Sequence, residues 1–118
     1  MKILVIGSED KEKISHSQLK EMAAGFGNLV KAVVDVRKGV MAVGGELHAD
    51  EEAFLLEKES QQRNLWGINL YPELQGGEFI EFDSVINLRP MHGNRTRGVD
   101  DSQIRQKIIE TVNKLILP

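Results

Sequence analysis

Glu46, His48 and Asp50 occupy alternate positions in "GGELHADEE", with Glu51 and Glu52 directly behind them. One imidazole among carboxylates supports two kinds of chemistry. Nearby anions raise the proton affinity of the ring, which suits general acid–base work. The same nitrogen and oxygen donors suit a divalent metal cofactor such as Mn²⁺, Fe²⁺ or Zn²⁺. If a strand continues through residue 48, alternation puts Glu46 and His48 on one face, with Asp50 next on that face. A plainer reading stands beside these: Asp50 caps a helix, Glu51 and Glu52 complement its dipole, and His48 lies on the surface.

A second group is "NLRPMHGNRTRG", where Arg89, Arg95 and Arg97 accompany His92 and Asn94. Guanidinium groups capture phosphate or carboxylate in two-pronged fashion. The loop also runs into the start of the last helix, where backbone N–H groups favour anions. Asp100 and Asp101 can satisfy that helix end instead, and the arginines can pair with Asp83 or with the acids at 50–52. A third group alternates along two segments: Asn69 with Tyr71, then Glu81, Asp83, Asn87 and Arg89. A solvated sheet face accounts for such a pattern. Asp and Asn are nevertheless poor strand formers, so a ligand-lined face is the competing explanation.

These residues need elements to hold them. "KILVIG" reads as a buried strand. Ser15 with Gln18 three residues on is a capping box, opening a helix over about 16–26 that stops at "GFGN". "VKAVVDV" and "VMAVGGEL" flank "RKG" as a hairpin. "DEEAFLLEKES" is a short helix with Asp50 as its cap. "LWGINLYP" is a strand closed by Pro72. "FIEFDSVINLRP" reads as one long strand, with Ile80, Phe82, Ile86 and Leu88 on one face. Trp66, Phe54, Leu55 and Leu56 go to core packing. Asp100 with Gln103 repeats the capping pattern before a final helix of about 101–116, striped by Ile104, Ile108, Val112 and Leu115. The order is β-α-β-β-α-β-β-α. It predicts an α+β fold: one mainly antiparallel sheet of about five strands with three helices packed on one face. The first strand has the option of joining in parallel through the first helix.

Composition narrows the function. The 118 residues fit a single α+β domain over 1–118. Net charge is −3 and the pI is near 5.6, so bulk electrostatics do not favour nucleic acid. There are no cysteines, which excludes disulfides, thiolate catalysis and sulfur-ligated zinc. The apolar start is too short for a signal peptide or a membrane span, so a cytoplasmic protein with no membrane contact is expected. No Walker loop, G-x-G-x-x-G, G-x-S-x-G or HExxH occurs.

The blocks "VKAVVDVRKGVMAVGGELHADEEAFLLE", "LWGINLYP", "FIEFDSVINLRP" and "GNRTRGV" followed by "IRQKI" resemble a small family of bacterial proteins catalogued only as a domain of unknown function. The resemblance runs from about residue 17 to the C-terminus. It implies no activity and assigns no residue a role.

Two functional expectations follow from the residues. In the first, the sheet face binds a phosphate-bearing small molecule or RNA and hydrolyses a phosphoester or phosphodiester. Arg95 and Arg97, helped by Arg89 and Asn87, hold the anion. His48 acts in acid–base chemistry with Glu46, or ligates a metal with Glu46 and Asp50. Asp83, counted with His48 and Glu46 as catalytic, and Asn69 orient the ligand or complete a metal shell. In the second, the chain is a non-enzymatic interaction module or homodimer, and the polar residues are structural.

Overall fold

A computed structural model of the chain describes residues 2–118. Short runs rich in β-branched residues form β1 (Leu4–Ile6), β3 (Val30–Asp35), β4 (Val40–Val43) and β5 (Leu65–Leu70). They line up with β6 (Ile80–Glu81) in the order β1-β4-β3-β5-β6, and every neighbouring pair is antiparallel. With helices α1 (His16–Ala24), α2 (His48–Glu57) and α3 (Ser102–Leu115), this is the expected α+β fold. The first strand differs from its parallel option: β1 pairs antiparallel with β4. A small second sheet was not foreseen. β2 (Ile14–Ser15) lies parallel to β7 (Ile116–Leu117), tying the start of α1 to the end of α3.

The hairpin turn between β3 and β4 follows from Asp35. Its Oδ1 accepts the N–H groups of Arg37 and Lys38, each at 2.9 Å, and Gly39 closes the turn at φ +71°. Ser60 donates to Asp35 Oδ2 at 2.7 Å, which anchors the exit of α2 to the same turn.

Strand alternation builds two cores rather than one. Ala32 and Val34 of β3, with Met41, Val43, Trp66 and Ile68, pack against Leu19 and Ala23 of α1 and Ile108, Val112 and Leu115 of α3. Val33, Ala42 and Leu65 point the other way and meet Leu55 of α2. The helices therefore cover both faces, not one. β5 is buried throughout and β3 at every residue but Lys31, which only a layer on each side can achieve. Phe54 is half-buried and Leu56 exposed, so of the expected apolar set in α2 only Leu55 is fully in the core.

α1 and α3 each open on a side-chain cap. Ser15 and Gln18 form the reciprocal capping box. For α3 the cap is Asp101, whose carboxylate accepts from Gln103 N–H at 2.8 Å, one residue after the expected Asp100. Asp100 instead accepts from Arg95 N–H at 2.7 Å and from the Thr96 hydroxyl at 2.5 Å.

The expected long strand over 79–90 is the largest departure. Only Ile80 and Glu81 pair with β5. Ser84 then accepts the N–H of Ile86 at 3.2 Å and opens a 3₁₀ turn over Val85–Asn87. The supposed common apolar face breaks up. Phe82 packs toward the α1/α3 core, Ile86 toward the α2 core, and Leu88 is exposed. Asn87 takes over from the missing strand. Its Nδ2 donates to the Gly67 carbonyl at 2.9 Å, and its Oδ1 accepts from the Gly67 N–H at 2.8 Å. Gly67 is required for this approach, since a Cβ there would sit 2.6 Å from Ser84 Cβ.

Candidate functional site

β4 ends at Val43, and Gly44 turns the chain at φ +95°. Glu46 is consequently exposed on a loop, while His48 begins α2 and tucks against the sheet at 9% exposure. The expectation that Glu46 and His48 share a strand face fails for this reason. Asp50 is exposed and is not the helix cap; Leu47 holds that position without a side-chain bond. Among the described residues, no group of three or more His, Cys, Asp or Glu side chains is placed to hold a metal ion. Glu46, His48 and Asp50 thus do not assemble as a metal triad.

His48 has a defined chemical state. Its Nε2 lies 2.8 Å from the Ile68 carbonyl oxygen. A carbonyl only accepts, so Nε2 carries the hydrogen, and in the neutral ring Nδ1 keeps its lone pair. Burial lowers the proton affinity of the ring below its ordinary value. The Ile68 bond and Asp83 act against that shift, and Lys31 and Arg97 add to it. His48 is therefore a neutral imidazole with a fixed tautomer, lying in the field of Lys31, Asp83 and Arg97.

The neighbouring side chains come from the edge of the sheet. Register aligns Lys31 of β3 with Asn69 of β5 and Glu81 of β6. Asn69 Nδ2 donates to Glu81 Oε1 at 2.8 Å and to the Asp83 carbonyl at 3.3 Å. The Tyr71 hydroxyl donates to the same Glu81 oxygen at 2.9 Å, and this bond raises the phenol's proton affinity. Arg97 Nε meets Asp83 Oδ1 at 2.8 Å, with both side chains half-open to solvent. Asn69 is 7% exposed, and its Oδ1 has no donor among the described residues. His48, Asn69, Asp83 and Arg97 thus belong to one neighbourhood.

The other expected ligand-binding residues lie elsewhere or serve the fold. The Arg95 side chain is exposed, and only its backbone N–H is engaged, by Asp100. Asn87 is fully buried and holds Gly67 and the Arg97 carbonyl. Arg89 sits at the opposite end of β5, donating to the Leu65 carbonyl and stacking 4.4 Å from the Trp66 ring centre.

Two participants were missed in the sequence. Glu51 looked like a solvated first-turn acid, yet it is fully buried. Its Oε2 accepts the Gly45 N–H at 3.0 Å, and Oε1 has no partner among the described residues. Burial pushes its pKa up to about 9, against the opposing effects of the Gly45 bond and Lys31, so at neutral pH it is a carboxylic acid. The available signal was spacing: His48, Glu51 and Leu55 fall on one helical face. Lys31 became visible only through strand register.

The arrangement defines a small α+β protein with a mixed acid, base and guanidinium cluster where α2 meets the sheet edge. The chain belongs to the family described as "Protein of unknown function (DUF5674)", which matches residues 5–115. The match takes in β1, so the N-terminal strand belongs with the rest, contrary to the later start expected near residue 17. No curated protein and no solved structure matches the chain. Among the described residues, no helix is long and apolar enough to cross a membrane.

Proposed function

We propose that this protein binds a phosphate-bearing small molecule where α2 meets the sheet edge and hydrolyses its phosphoester. The reading rests on His48, a neutral ring whose Nε2–H is tied to Ile68 and whose other nitrogen keeps its lone pair, beside the Asp83–Arg97 pair. Arg97 and Lys31 supply positive charge for the phosphoryl oxygens. His48 Nδ1 takes a proton from the attacking water as its oxygen bonds to phosphorus. The ester P–O bond breaks, and the leaving oxygen takes a proton from solvent. Asn69 and Asp83 orient the ligand. The acidic net charge favours a small molecule over RNA.

Calorimetric titration with p-nitrophenyl phosphate, with release of p-nitrophenolate followed by absorbance, tests this. Saturable binding with slow turnover is expected. His48→Gln keeps a donor for the Ile68 carbonyl but removes the base, so it should retain binding and lose turnover. Absence of binding at millimolar ester, with no hydrolysis, overturns the reading.

A second reading has its own support. Val85, Leu88 and Met91 are 66%, 47% and 96% exposed along one short segment. Apolar side chains clustered at the surface suit a homodimer or a protein partner. Light scattering across a concentration series tests it: a dimer that Leu88→Lys dissolves supports it, and a monomer at every concentration opposes the homodimer.

A further inference from the structure

Trp66 and Arg89 line a cavity of about 430 Å³, together with Arg63, His92 and Asp101. It lies at the Leu65 end of β5, away from the bond between His48 and Ile68. Trp66, 5% exposed, contributes ring surface to the wall. Two features make it a built site, both centred on Arg89. Arg89 is immobilised, stacked on the Trp66 ring and donating to the Ile86 carbonyl at 3.2 Å and to the Leu65 carbonyl. Those bonds occupy two of the five guanidinium N–H groups, leaving three for a ligand. Finally, no carboxylate is in ion-pair contact with Arg89 among the described residues, where the ion pair present is Arg97 with Asp83. Glu52 acts on it only through its field. The acid in the lining, Asp101, is engaged in capping α3.

Unused donors on a fixed guanidinium match one ligand chemistry. We propose that this cavity binds the oxyanion group of a small molecule, a phosphate or a carboxylate. Arg89 is the rigid fork, Arg63 supplies charge at the rim, and His92 lines the wall. Because stacking already holds Arg89, little side-chain freedom is lost on binding. The site is separate from the one proposed around His48 and stands without it.

The chain has a single tryptophan, so its intrinsic fluorescence reports on this cavity. Purified protein is titrated with sodium phosphate and with sodium acetate, using sodium chloride at matched ionic strength as control. A saturable change in emission with at least one oxyanion, absent in chloride, is expected. Arg63→Gln, at an exposed position, should weaken binding several-fold. Arg89→Lys, which keeps the charge but loses the fork, should weaken it tenfold or more. Arg97→Ala should leave the titration unchanged. Flat titrations with both oxyanions, or an equal response to chloride, overturn the proposal. Loss of the response in Arg97→Ala does so as well, because it would move binding to the other site.

Discussion

The Asn87 side chain closes both backbone hydrogen bonds of Gly67, donating to its carbonyl at 2.9 Å and accepting from its N–H at 2.8 Å. A carboxamide thereby stands in for a peptide unit of a missing strand. Asn87→Ala leaves buried backbone groups without partners, each costing about 1–3 kcal/mol. Urea denaturation should show a loss of about 2–3 kcal/mol, with Asn87→Asp, which keeps only the acceptor, also clearly destabilised. A loss below about 0.5 kcal/mol, the range of ordinary surface substitutions, would show that the pairing contributes little.

Glu51 should leave a mark on stability against pH. Its folded pKa, about 9, lies above the ordinary value of 4.5, so the folded state holds a proton that the unfolded chain releases. Its contribution is complete below pH 4.5 and is lost as pH rises toward 9, with a slope of at most about 1.4 kcal/mol per pH unit. Glu51→Gln should therefore flatten the alkaline limb and exceed the parent in stability at pH 8, the gap closing near pH 5. His48 works in the opposite direction: its lowered pKa costs stability as pH falls below 6.5. Parallel curves for parent and Glu51→Gln would mean that Glu51 ionises normally.

Arg97 and Asp83 form a half-exposed pair, whose own contribution to stability is about 0–1 kcal/mol. Arg97→Ala should thus leave the melting temperature almost unchanged while weakening binding of p-nitrophenyl phosphate roughly tenfold, the equivalent of about 1.4 kcal/mol. Unaltered affinity would remove Arg97 from the ligand site.

Much of the fold was legible because local chemistry agreed with tertiary context. The Ser15–Gln18 box, the Lys38–Gly39 hairpin and the Ile108–Val112–Leu115 stripe each form as their residue types dictate. The segment after β6 misled because its apolar residues alternate like a strand while Ser84 and Asn87 bond locally or to Gly67. Period alone does not register side chains that replace backbone partners. The same limit applied to the site. His48 and Asp83 were readable as chemical types, but the turn at Gly44 decided that Glu46 faces solvent and His48 the sheet. Glu51 was hidden because a first-turn acid ordinarily serves the helix dipole.

The most direct test of the His48 site is ¹⁵N NMR of its imidazole ring while inorganic phosphate is added near pH 7. In the free protein the ring should be neutral with hydrogen on Nε2, as the Ile68 bond requires. Phosphate should then shift the His48 Nδ1 and Arg97 Nε signals together and saturably, with Arg97→Ala abolishing the His48 response. A charged ring in the free protein, or a His48 signal that ignores phosphate to saturation, would contradict the assignment.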